Sequence, residues 1–279
     1  SVSGDGLTLA IGTPGYSTST QTRIGSVVIY TYTVSPSGFS ALVESTHRIV
    51  GENRNDSFGI SLALDKLGNN IIIGALDFSN RYKGYIKVYK KISNSWNNTY
   101  SVFKFNNLDK IQGTNNYDYF GSSVDITKNI DILTSRNSII IGAKYNDRGG
   151  TNAGLIQIYE LTNNSSPTSD STLSKIGEDR IGEDRYNYFG HDVSISSQSS
   201  TNDLIVLIGA YGNLRFTGYA KAFQIEDISN KGVQNILIGS SCGFSNKSGS
   251  ENIGIGFECL KNNEDGIKNV SIGYQTLYS

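Results

Sequence analysis

Two histidines are the first candidates for acid–base chemistry in this sequence of 279 residues. His191 stands next to Asp192, and a histidine beside a carboxylate can act as a general acid or base when a nucleophile lies within hydrogen-bonding reach. The residues around His191 supply no partner nucleophile, and His47 has less support still. We therefore expect His191 to be an incidental strand residue, and the sequence predicts no catalytic residue and no enzyme.

The two cysteines are the next candidates, because thiols can form a disulfide or hold a metal. Cys242 and Cys259 are 17 residues apart, so in a repeat of that length they would lie one above the other on neighbouring strands. Strand neighbours are about 4.8 Å apart, near the lower limit of Cα separation for a disulfide. We expect two stacked, buried free thiols. Two cysteines with distant histidines also give no recognisable zinc site, and the sequence predicts no cofactor.

Three short sequence motifs recur along the chain, and the structure that they form must hold any functional residue in place. An apolar run closed by glycine ends at Gly12, Gly74, Gly142 and Gly209, which are spacings of 62, 68 and 67 residues. A Phe-Gly pair begins at Phe58, Phe120 and Phe189. A glycine followed by an alternating run that ends in an aromatic residue begins at Gly25, Gly84, Gly154 and Gly218. Recurrence at a fixed period of this length indicates a repeat architecture.

Each repeat contains four strand signals. The three elements each predict one strand, and a weaker polar strand follows them, for instance Ala41 to Thr46 and Tyr100 to Phe105. Four strands per repeat is the composition of one propeller blade. The abundance of Gly, Asn, Ser and Tyr, without a convincing amphipathic helix, also favours strands joined by tight turns. The predicted fold class is therefore all-β, with Ile73, Ile141 and Ile208 in buried strands near the propeller axis.

These elements resemble the FG-GAP repeat of integrin-type β-propellers. FGSSVDI, IIIGA and GLIQIY stand for its Phe-Gly, Gly-Ala and closing-strand motifs, and the resemblance implies a propeller of four-stranded blades over residues 1–232. The first copy has IGTP in place of IGA and has no Phe-Gly pair. We therefore expect the chain to begin inside a blade, so that four blades is a lower bound.

The same resemblance suggests a calcium-binding site, because many such blades carry an Asp-rich loop before the Gly-Ala strand. The corresponding loops are Gly4 to Gly6, Asp65 to Asn70, Ser135 to Asn137 and Ser199 to Asp203. None of them has alternating acidic residues, which a hard cation would need as oxygen ligands. We expect ordinary polar turns and no metal site. The duplicated segment IGEDRIGEDR, Ile176 to Arg185, is expected to be a solvated loop with internal ion pairs.

The period changes to 17 residues in the region 233–279. Ile238-Gly239, Ile255-Gly256 and Ile272-Gly273 mark three copies, each predicted to contain a strand, a bend at the glycine, a second short strand and a polar turn. This spacing predicts a short β-solenoid or β-roll with the three isoleucines in one inward ladder. NVSIGYQTLYS and NIGIGFECL resemble the Ile-Gly-rich repeats of phage and giant-virus tail fibres and, more distantly, the head repeats of trimeric adhesins. That resemblance implies a homotrimer formed through 233–279.

Charge and hydropathy narrow the choice of partners. The net charge is −1, which gives no reason to expect nucleic acid, and the apolar runs are far shorter than the ~20 residues that span a bilayer. With the two resemblances, this favours a structural attachment subunit of a virion surface fibre or spike, virion-borne or extracellular. It would display the propeller to a host-surface glycan or protein receptor and contact other virion proteins. The alternatives are a cell-surface adhesin of a bacterium or protist and the accessory propeller domain of a larger extracellular enzyme.

Overall fold

The computed structural model describes residues 1–34, 40–44, 48–92, 95–127, 137–162, 171–197, 203–212, 218–225, 236–238, 241–246 and 249–277. These residues form β-strands and one 3₁₀ turn, Phe78–Asn80, which confirms the all-β class. The chain divides into two compact units, residues 1–200 with 204–224 and residues 201–203 with 225–279. The boundary predicted between 232 and 233 lies outside the described residues.

The first unit contains four separate sheets. The first sheet consists of β1 (Thr8–Thr13), β2 (Ser26–Val34), β3 (Ser40–Glu44) and β4 (Ile49–Val50). The second consists of β5 (Ser61–Leu64), β6 (Asn70–Ala75), β7 (Tyr85–Ile92), β8 (Ser95–Val102) and β9 (Ile111–Gln112). The third consists of β10 (Phe120–Ile126), β11 (Asn137–Ala143), β12 (Leu155–Thr162), β13 (Thr172–Lys175) and β14 (Arg180–Ile181). The fourth consists of β15 (Asp192–Ser197), β16 (Leu204–Ala210) and β17 (Tyr219–Ile225).

In each sheet the longer strands form a meander, in which consecutive strands are neighbours in the sheet. The strand pairs of the second and third sheets are antiparallel. The short strands β4, β9 and β14 pair with the first two residues of β2, β7 and β12. The apolar-Gly runs form β1, β6, β11 and β16, and the Gly-led alternating runs form β2, β7, β12 and β17. The repeated elements are therefore strands, as the sequence predicts.

The inner sheets are covered on both faces. Ile139, Ile140 and Ile141 of β11 are all fully buried although their side chains alternate between faces, because neighbouring sheets pack on either side. In β16 of the fourth sheet one face is covered and the other is open among the described residues: Val206 and Ile208 are fully buried, whereas Ile205 and Leu207 are 39% and 50% exposed. The prediction that Ile73, Ile141 and Ile208 lie in buried strands is confirmed.

Glycines allow the sheets to approach each other closely. A Cβ atom on Gly74 would lie 2.0 Å from the carbonyl oxygen of Gly121, which belongs to the Phe-Gly pair of the next sheet. The same carbonyl accepts a hydrogen bond of 2.6 Å from the Ser61 hydroxyl. At the interface between the third and fourth sheets, the Ser123 hydroxyl donates in the same way to the carbonyl of Gly190 at 2.7 Å. The apolar-Gly and Phe-Gly elements therefore meet across each of these sheet interfaces.

The second unit contains a three-stranded parallel sheet of β18 (Ile236–Ile238), β19 (Ile253–Ile255) and β20 (Val270–Ile272). Each residue of one strand pairs with the residue 17 positions later in the next strand, so the 17-residue repeats stack as predicted. Gly256 and Gly273 have φ of 133° and 129°, which supports the predicted bend beside each strand. Gly239 lies outside the described residues.

Two predictions for this unit are wrong. The second short strand of each repeat is replaced by turns over 257–262 and 274–277, in which left-handed residues such as Glu258 interrupt an extended backbone. The isoleucine ladder also points outward: Ile238, Ile255 and Ile272 are 57%, 38% and 64% exposed.

The inward positions are the buried Gly254 and Ser271 and, in register with them on the end strand, Leu237, which is 36% exposed. A Cβ atom on Gly254 would lie 2.5 Å from the Cys242 sulfur. The interior beside Gly254 is therefore too narrow for an isoleucine side chain, and the small residues Gly254 and Ser271 occupy the inward positions of the second and third strands.

Polar ladders fill the remaining interior. The side-chain oxygen of Asn252 accepts hydrogen bonds from the backbone and side-chain amides of Asn269, at 2.9 and 3.0 Å. Both cysteines are free thiols, as predicted, with Cys259 buried and Cys242 half-buried. Burial and the neighbouring Cys259 raise the pKa of Cys242, so this thiol stays protonated at neutral pH.

Candidate functional site

A continuous line of aromatic side chains crosses one end of the sheets in the first unit. We call it the aromatic row, and its members are Phe78, Tyr82, Tyr117, Tyr119, Tyr145, Tyr188, Tyr211 and His191. They come from the β6–β7 loop, the turn before β10, the β11–β12 loop, the turn before β15 and the segment after β16. Because successive strands are antiparallel, all of these segments lie at the same end of their sheets.

Each ring in the row touches the next. The centroid separations are 4.8 Å for Phe78 and Tyr82, 6.1 Å for Tyr82 and Tyr117, 5.0 Å for Tyr82 and Tyr119, 4.8 Å for Tyr119 and Tyr145, 5.5 Å for Tyr145 and Tyr188, 4.6 Å for Tyr188 and Tyr211, and 4.5 Å for Tyr211 and His191. These separations lie in the range of favourable stacked and edge-on pairs. The rings therefore support one another and form one connected surface.

The backbone under the row is left-handed at several tyrosines. Tyr117 and Tyr119 have φ of 67° and 54°, a region that is unfavourable for residues with a bulky side chain. The turn before β5 has the same conformation, with Asn55 at 63° and Ser57 at 50°. Asparagine adopts this conformation more readily than tyrosine does. The turn therefore does not need tyrosine, and tyrosine at these places points to a role for the side chain.

Backbone hydrogen bonds hold these turns in place without help from the rings. The amide of Tyr117 donates to the carbonyl of Arg81 at 2.8 Å, and the amide of Tyr119 donates to the carbonyl of Tyr82 at 3.0 Å. The amide of Phe120 then donates to the carbonyl of Lys83 at 3.0 Å. The scaffold of the row is thus set by the main chain, and the side chains can change without removing it.

A buried polar residue lies two positions before each Phe-Gly pair, between the outward-facing side chains. It is Asp56 in the second sheet, Asp118 in the third and Asn187 in the fourth. The Asp56 carboxylate accepts hydrogen bonds from the amide of Asn53 at 2.8 Å, and the Asp118 carboxylate accepts one from the amide of Asn115 at 3.0 Å. Burial raises the pKa of both carboxyl groups.

Two tyrosine hydroxyls of the row, those of Tyr119 and Tyr211, are protonated at neutral pH. Burial among the other rings raises the pKa of Tyr119 and of Tyr211, so that their hydroxyls act as hydrogen-bond donors and acceptors. The ammonium group of Lys144 lies 5.4 Å from the centroid of Tyr145 and adds one positive charge beside the row. The surface can therefore offer apolar ring area, neutral hydroxyls and a cation to a partner.

His191 lies at one end of the row and is exposed, directly before β15 rather than within it. Burial against its neighbours and the nearby Lys144 lower the pKa of His191, so it is mainly neutral at pH 7. The Asp192 carboxylate accepts a hydrogen bond from the amide of Val193 at 3.1 Å. The predicted strand position of His191 is therefore wrong, because β15 begins at Asp192 and the His191 ring packs against Tyr211 instead. His47 lies outside the described residues.

One nucleophile motif was missed from the sequence. Residues 239–243 read G-S-S-C-G, which matches the G-x-S-x-G spacing with Ser241 at the centre. Ser241 has φ of 58° and lies in a turn after the three-residue strand β18, and no helix follows it among the described residues. His191 belongs to the other compact unit, and His47 lies outside the described residues. The strand, turn and helix that give this motif its chemistry are therefore not assembled here.

The acidic loops considered for calcium are used for internal hydrogen bonds. The Asp65 carboxylate accepts from the amide of Asn69 at 2.8 Å and from the side chains of Asn70 at 2.7 Å and Asn137 at 3.2 Å. The Asp5 carboxylate accepts from the Ser3 hydroxyl at 2.6 Å. Within the described ranges, no three His, Cys, Asp or Glu side chains are grouped to hold a metal ion.

The duplicated segment 176–185 forms ion pairs with residues outside itself. Asp179 pairs with Arg148 and, at 2.5 Å, with Lys175, and Glu183 pairs with Lys221. The expected pairs inside the duplication are therefore replaced by pairs to the β11–β12 loop, to β13 and to β17. The reason is that residues 180–181 form β14, which directs the neighbouring side chains towards adjacent strands.

In the part of the chain that the structure describes, no helix has the length and apolar character needed to cross a bilayer. No protein-family model matches the sequence, and no curated protein matches it.

Proposed function

We propose that this chain is an attachment subunit of a virion surface fibre or spike, and that the aromatic row is its receptor-binding surface. The row carries this proposal. Tyrosine supplies large, amphipathic contact area at a low cost in conformational entropy, and it is enriched at binding hot spots. Tyr117 is 56% exposed in an unfavourable backbone conformation, which is the pattern expected of a side chain kept for binding.

The partner is a host-surface glycan or protein. Stacked tyrosine rings can lie against the CH face of a sugar while their hydroxyls hydrogen-bond its hydroxyl groups, and they can equally form the centre of a protein interface. The chain carries no excess of positive charge that would favour nucleic acid. The function is binding, and the proposal assigns no reaction to the row.

In this proposal the first unit is part of a β-propeller built from FG-GAP-type blades. Four meander sheets recur at nearly constant spacing, and the sheet interfaces pair an apolar-Gly element with a Phe-Gly element. Ile11 and Tyr32 of the first sheet and Ile205 and Leu207 of the fourth are exposed on the outer sheet faces. Those faces are where further blades would pack in a closed ring.

The second unit is proposed to be a trimeric stalk. Its outward ladder of Ile238, Ile255 and Ile272 shares an apolar face with the exposed side chains of Ile236 and Val270. The face continues into the stacked rings of Phe257 and Tyr274, whose centroids are 5.3 Å apart. Covering such a face removes apolar area from water at about 25 cal/mol per Å². Three chains would cover it for one another, as the resemblance to fibre and adhesin repeats implies.

Attachment is tested by binding of the labelled full chain to a glycan array and to a panel of cell surfaces. The decisive variant is Tyr117→Asn with Tyr119→Ser, because Asn55 and Ser57 hold the same backbone conformation in the preceding repeat. We expect at least a tenfold loss of binding. The control is Leu108→Asn, which removes an exposed apolar side chain outside the row. Wild-type binding by the double variant would exclude the row as the receptor surface.

The stalk is tested separately by light scattering on the full chain. We expect a trimer, which Ile255→Asp dissociates because it places a charge in the proposed interface. Ile267→Asp is the matched control, since Ile267 is an exposed isoleucine outside the stacked strands. A monomeric wild-type chain would refute the stalk, and equal effects of both variants would place the interface elsewhere.

A further inference from the structure

A half-enclosed cavity of about 190 Å³ lies where elements of the second and third sheets meet in the first unit. One part of its wall is apolar and the other is polar. The apolar wall includes Phe105, Phe120 and Leu155, and the polar wall includes Asp118, Asn146 and Gln157. At about 30 Å³ for each water molecule of the liquid, the volume corresponds to about six waters. It can therefore hold a small ring-shaped molecule.

The neighbouring repeats explain why the cavity exists. In the second sheet, the residue after the repeat glycine Gly84 is Tyr85, whose ring is fully buried. The Tyr85 hydroxyl donates a hydrogen bond of 2.8 Å to the buried Asp56 carboxylate. The ring therefore fills the space beside the buried polar residue and supplies that residue with a hydroxyl donor.

The fourth sheet repeats this arrangement. Its residue after the repeat glycine Gly218 is Tyr219, and the Tyr219 hydroxyl lies 3.2 Å from the side chain of Asn187. Asn187 occupies the position of Asp56, two residues before the Phe-Gly pair. In the amide orientation that satisfies all of its neighbours, the Asn187 side-chain oxygen accepts from this hydroxyl. Two repeats thus place a tyrosine hydroxyl on the buried polar residue.

The third sheet lacks the tyrosine. The residue after Gly154 is Leu155, which has no hydroxyl, and the buried polar residue is Asp118. Both Leu155 and Asp118 line the cavity. The Asp118 carboxylate accepts hydrogen bonds from Asn115 and Asn146, and the cavity is the space beside it that the tyrosine ring and hydroxyl fill in the adjacent repeat.

We propose that this cavity binds one pyranose unit, with a sugar hydroxyl donating to the Asp118 carboxylate as the Tyr85 hydroxyl donates to Asp56. A sugar ring presents CH groups on its face and hydroxyls around its edge. The CH groups would pack on Phe105, Phe120 and Leu155, and the hydroxyls would reach the polar wall. A phenol would fit the same space but has one polar group, which leaves most of that wall without a partner.

The polar wall is held in position before any ligand arrives. The Gln157 side-chain amide donates to the Asp179 carboxylate at 2.9 Å, and the Tyr159 hydroxyl donates to the Gln157 side-chain oxygen at 2.9 Å. Asp179 is in turn paired with Arg148 and Lys175. Pre-organised groups lose little freedom on binding, and the two cations compensate the Asp179 charge. This wall suits a neutral, polyhydroxylated ligand.

The cavity is lined by other residues than the aromatic row, and its proposed ligand is a free sugar. Sugar binding here therefore holds or fails independently of the attachment function. The Leu155→Tyr variant supplies the direct test, because Leu155 in the third sheet occupies the position that Tyr85 occupies in the second sheet. Its ring is expected to fill the cavity and its hydroxyl to reach Asp118, which excludes the sugar.

Saturation-transfer NMR on the full chain measures binding of glucose, galactose, mannose, N-acetylglucosamine and fucose, each at about 10 mM, ten times a Kd of about 1 mM. We expect transfer to at least one sugar with the wild-type chain and none with Leu155→Tyr. Asp118→Asn gives the third sheet the amide that Asn187 supplies in the fourth. It should weaken binding about tenfold, because a hydrogen bond to a neutral amide is weaker than one to a carboxylate.

Three results would overturn the inference: no sugar receives saturation from the wild-type chain, transfer is the same in Leu155→Tyr, or p-cresol binds while every sugar fails. The thermal midpoint of Leu155→Tyr should equal or exceed that of wild type, since the variant fills a void. If that variant does not fold, Asp118→Asn decides, and an unchanged sugar affinity in it would also overturn the inference.

Discussion

Gly142 of β11 lies so close to Gly190 of the fourth sheet's Phe-Gly pair that a Cβ atom on Gly142 would be 2.1 Å from the Gly190 carbonyl oxygen. The corresponding glycine of the fourth sheet, Gly209, has its nearest neighbour at 3.6 Å, which is ordinary contact. The same repeated glycine is therefore indispensable where two sheets meet and replaceable where, among the described residues, no further sheet packs against it.

This difference predicts the effects of two identical substitutions. Gly142→Ala should lower the free energy of unfolding by about 2–5 kcal/mol, because the third and fourth sheets must separate to admit the methyl group. Gly209→Ala should change it by less than about 0.5 kcal/mol. Urea denaturation of both variants measures the two values. Equal losses would show that the glycines are needed for a reason other than sheet contact.

Asp56 predicts a pH-dependent stability. Burial raises the pKa of Asp56 above its ordinary value of 3.8, against the opposing effect of its hydrogen bonds from Asn53 and Tyr85. Folding therefore favours the protonated acid. The stability that Asp56 contributes is complete below its unfolded pKa and is lost as the pH rises through the higher folded pKa.

Asp56→Asn should remove this loss, since asparagine is neutral at every pH. We expect its thermal midpoint to exceed that of wild type by about 2–4 °C at pH 7 and by less at pH 4. Asp265→Asn, at an exposed carboxylate, is the control and should leave the midpoint unchanged at both values. A gain for Asp56→Asn that is the same at pH 4 and pH 7 would contradict the assignment of the effect to ionisation.

Tyr117 predicts a substitution that costs binding but little stability. In Tyr117→Asn the left-handed backbone becomes easier to adopt, which offsets the lost contact with the Tyr82 ring. The free energy of unfolding should therefore stay within about 1 kcal/mol of wild type. Phe120→Ala, three residues away in the buried core, should cost about 3–5 kcal/mol. A large loss in Tyr117→Asn would mean that the ring serves the fold.

Calcium should not affect the first unit's stability. The Asp65 carboxylate already accepts hydrogen bonds from Asn69, Asn70 and Asn137, and a cation would have to displace those donors. Thermal melts with millimolar calcium and with a chelator should coincide. A drop of several degrees in the chelator would reveal a calcium site that stabilises the fold.

The strands and repeats could be predicted from the sequence because their signals are local. Runs such as Ile139 to Ile141, closed by Gly142, have the length and composition of a buried strand wherever they occur. The 17-residue spacing of Cys242 and Cys259 likewise predicted two stacked free thiols, because a repeated register places equal positions above one another. Periodicity and spacing are sufficient for such features.

Tertiary structure decided which faces are covered and which residues meet. The alternation around Ile255 is the same whether the isoleucine points inward or outward, and the narrow interior at Gly254 selected the outward direction. Tyr82 and Tyr119 are 37 residues apart, and only the packing of the turn before β10 against the β6–β7 loop of the neighbouring sheet brings their rings to 5.0 Å. In the same way, Leu155 is an ordinary strand residue in the sequence, and its missing ring matters because folding places it beside Asp118. Contacts between distant residues depend on how the sheets pack, and a local pattern carries no information about that packing.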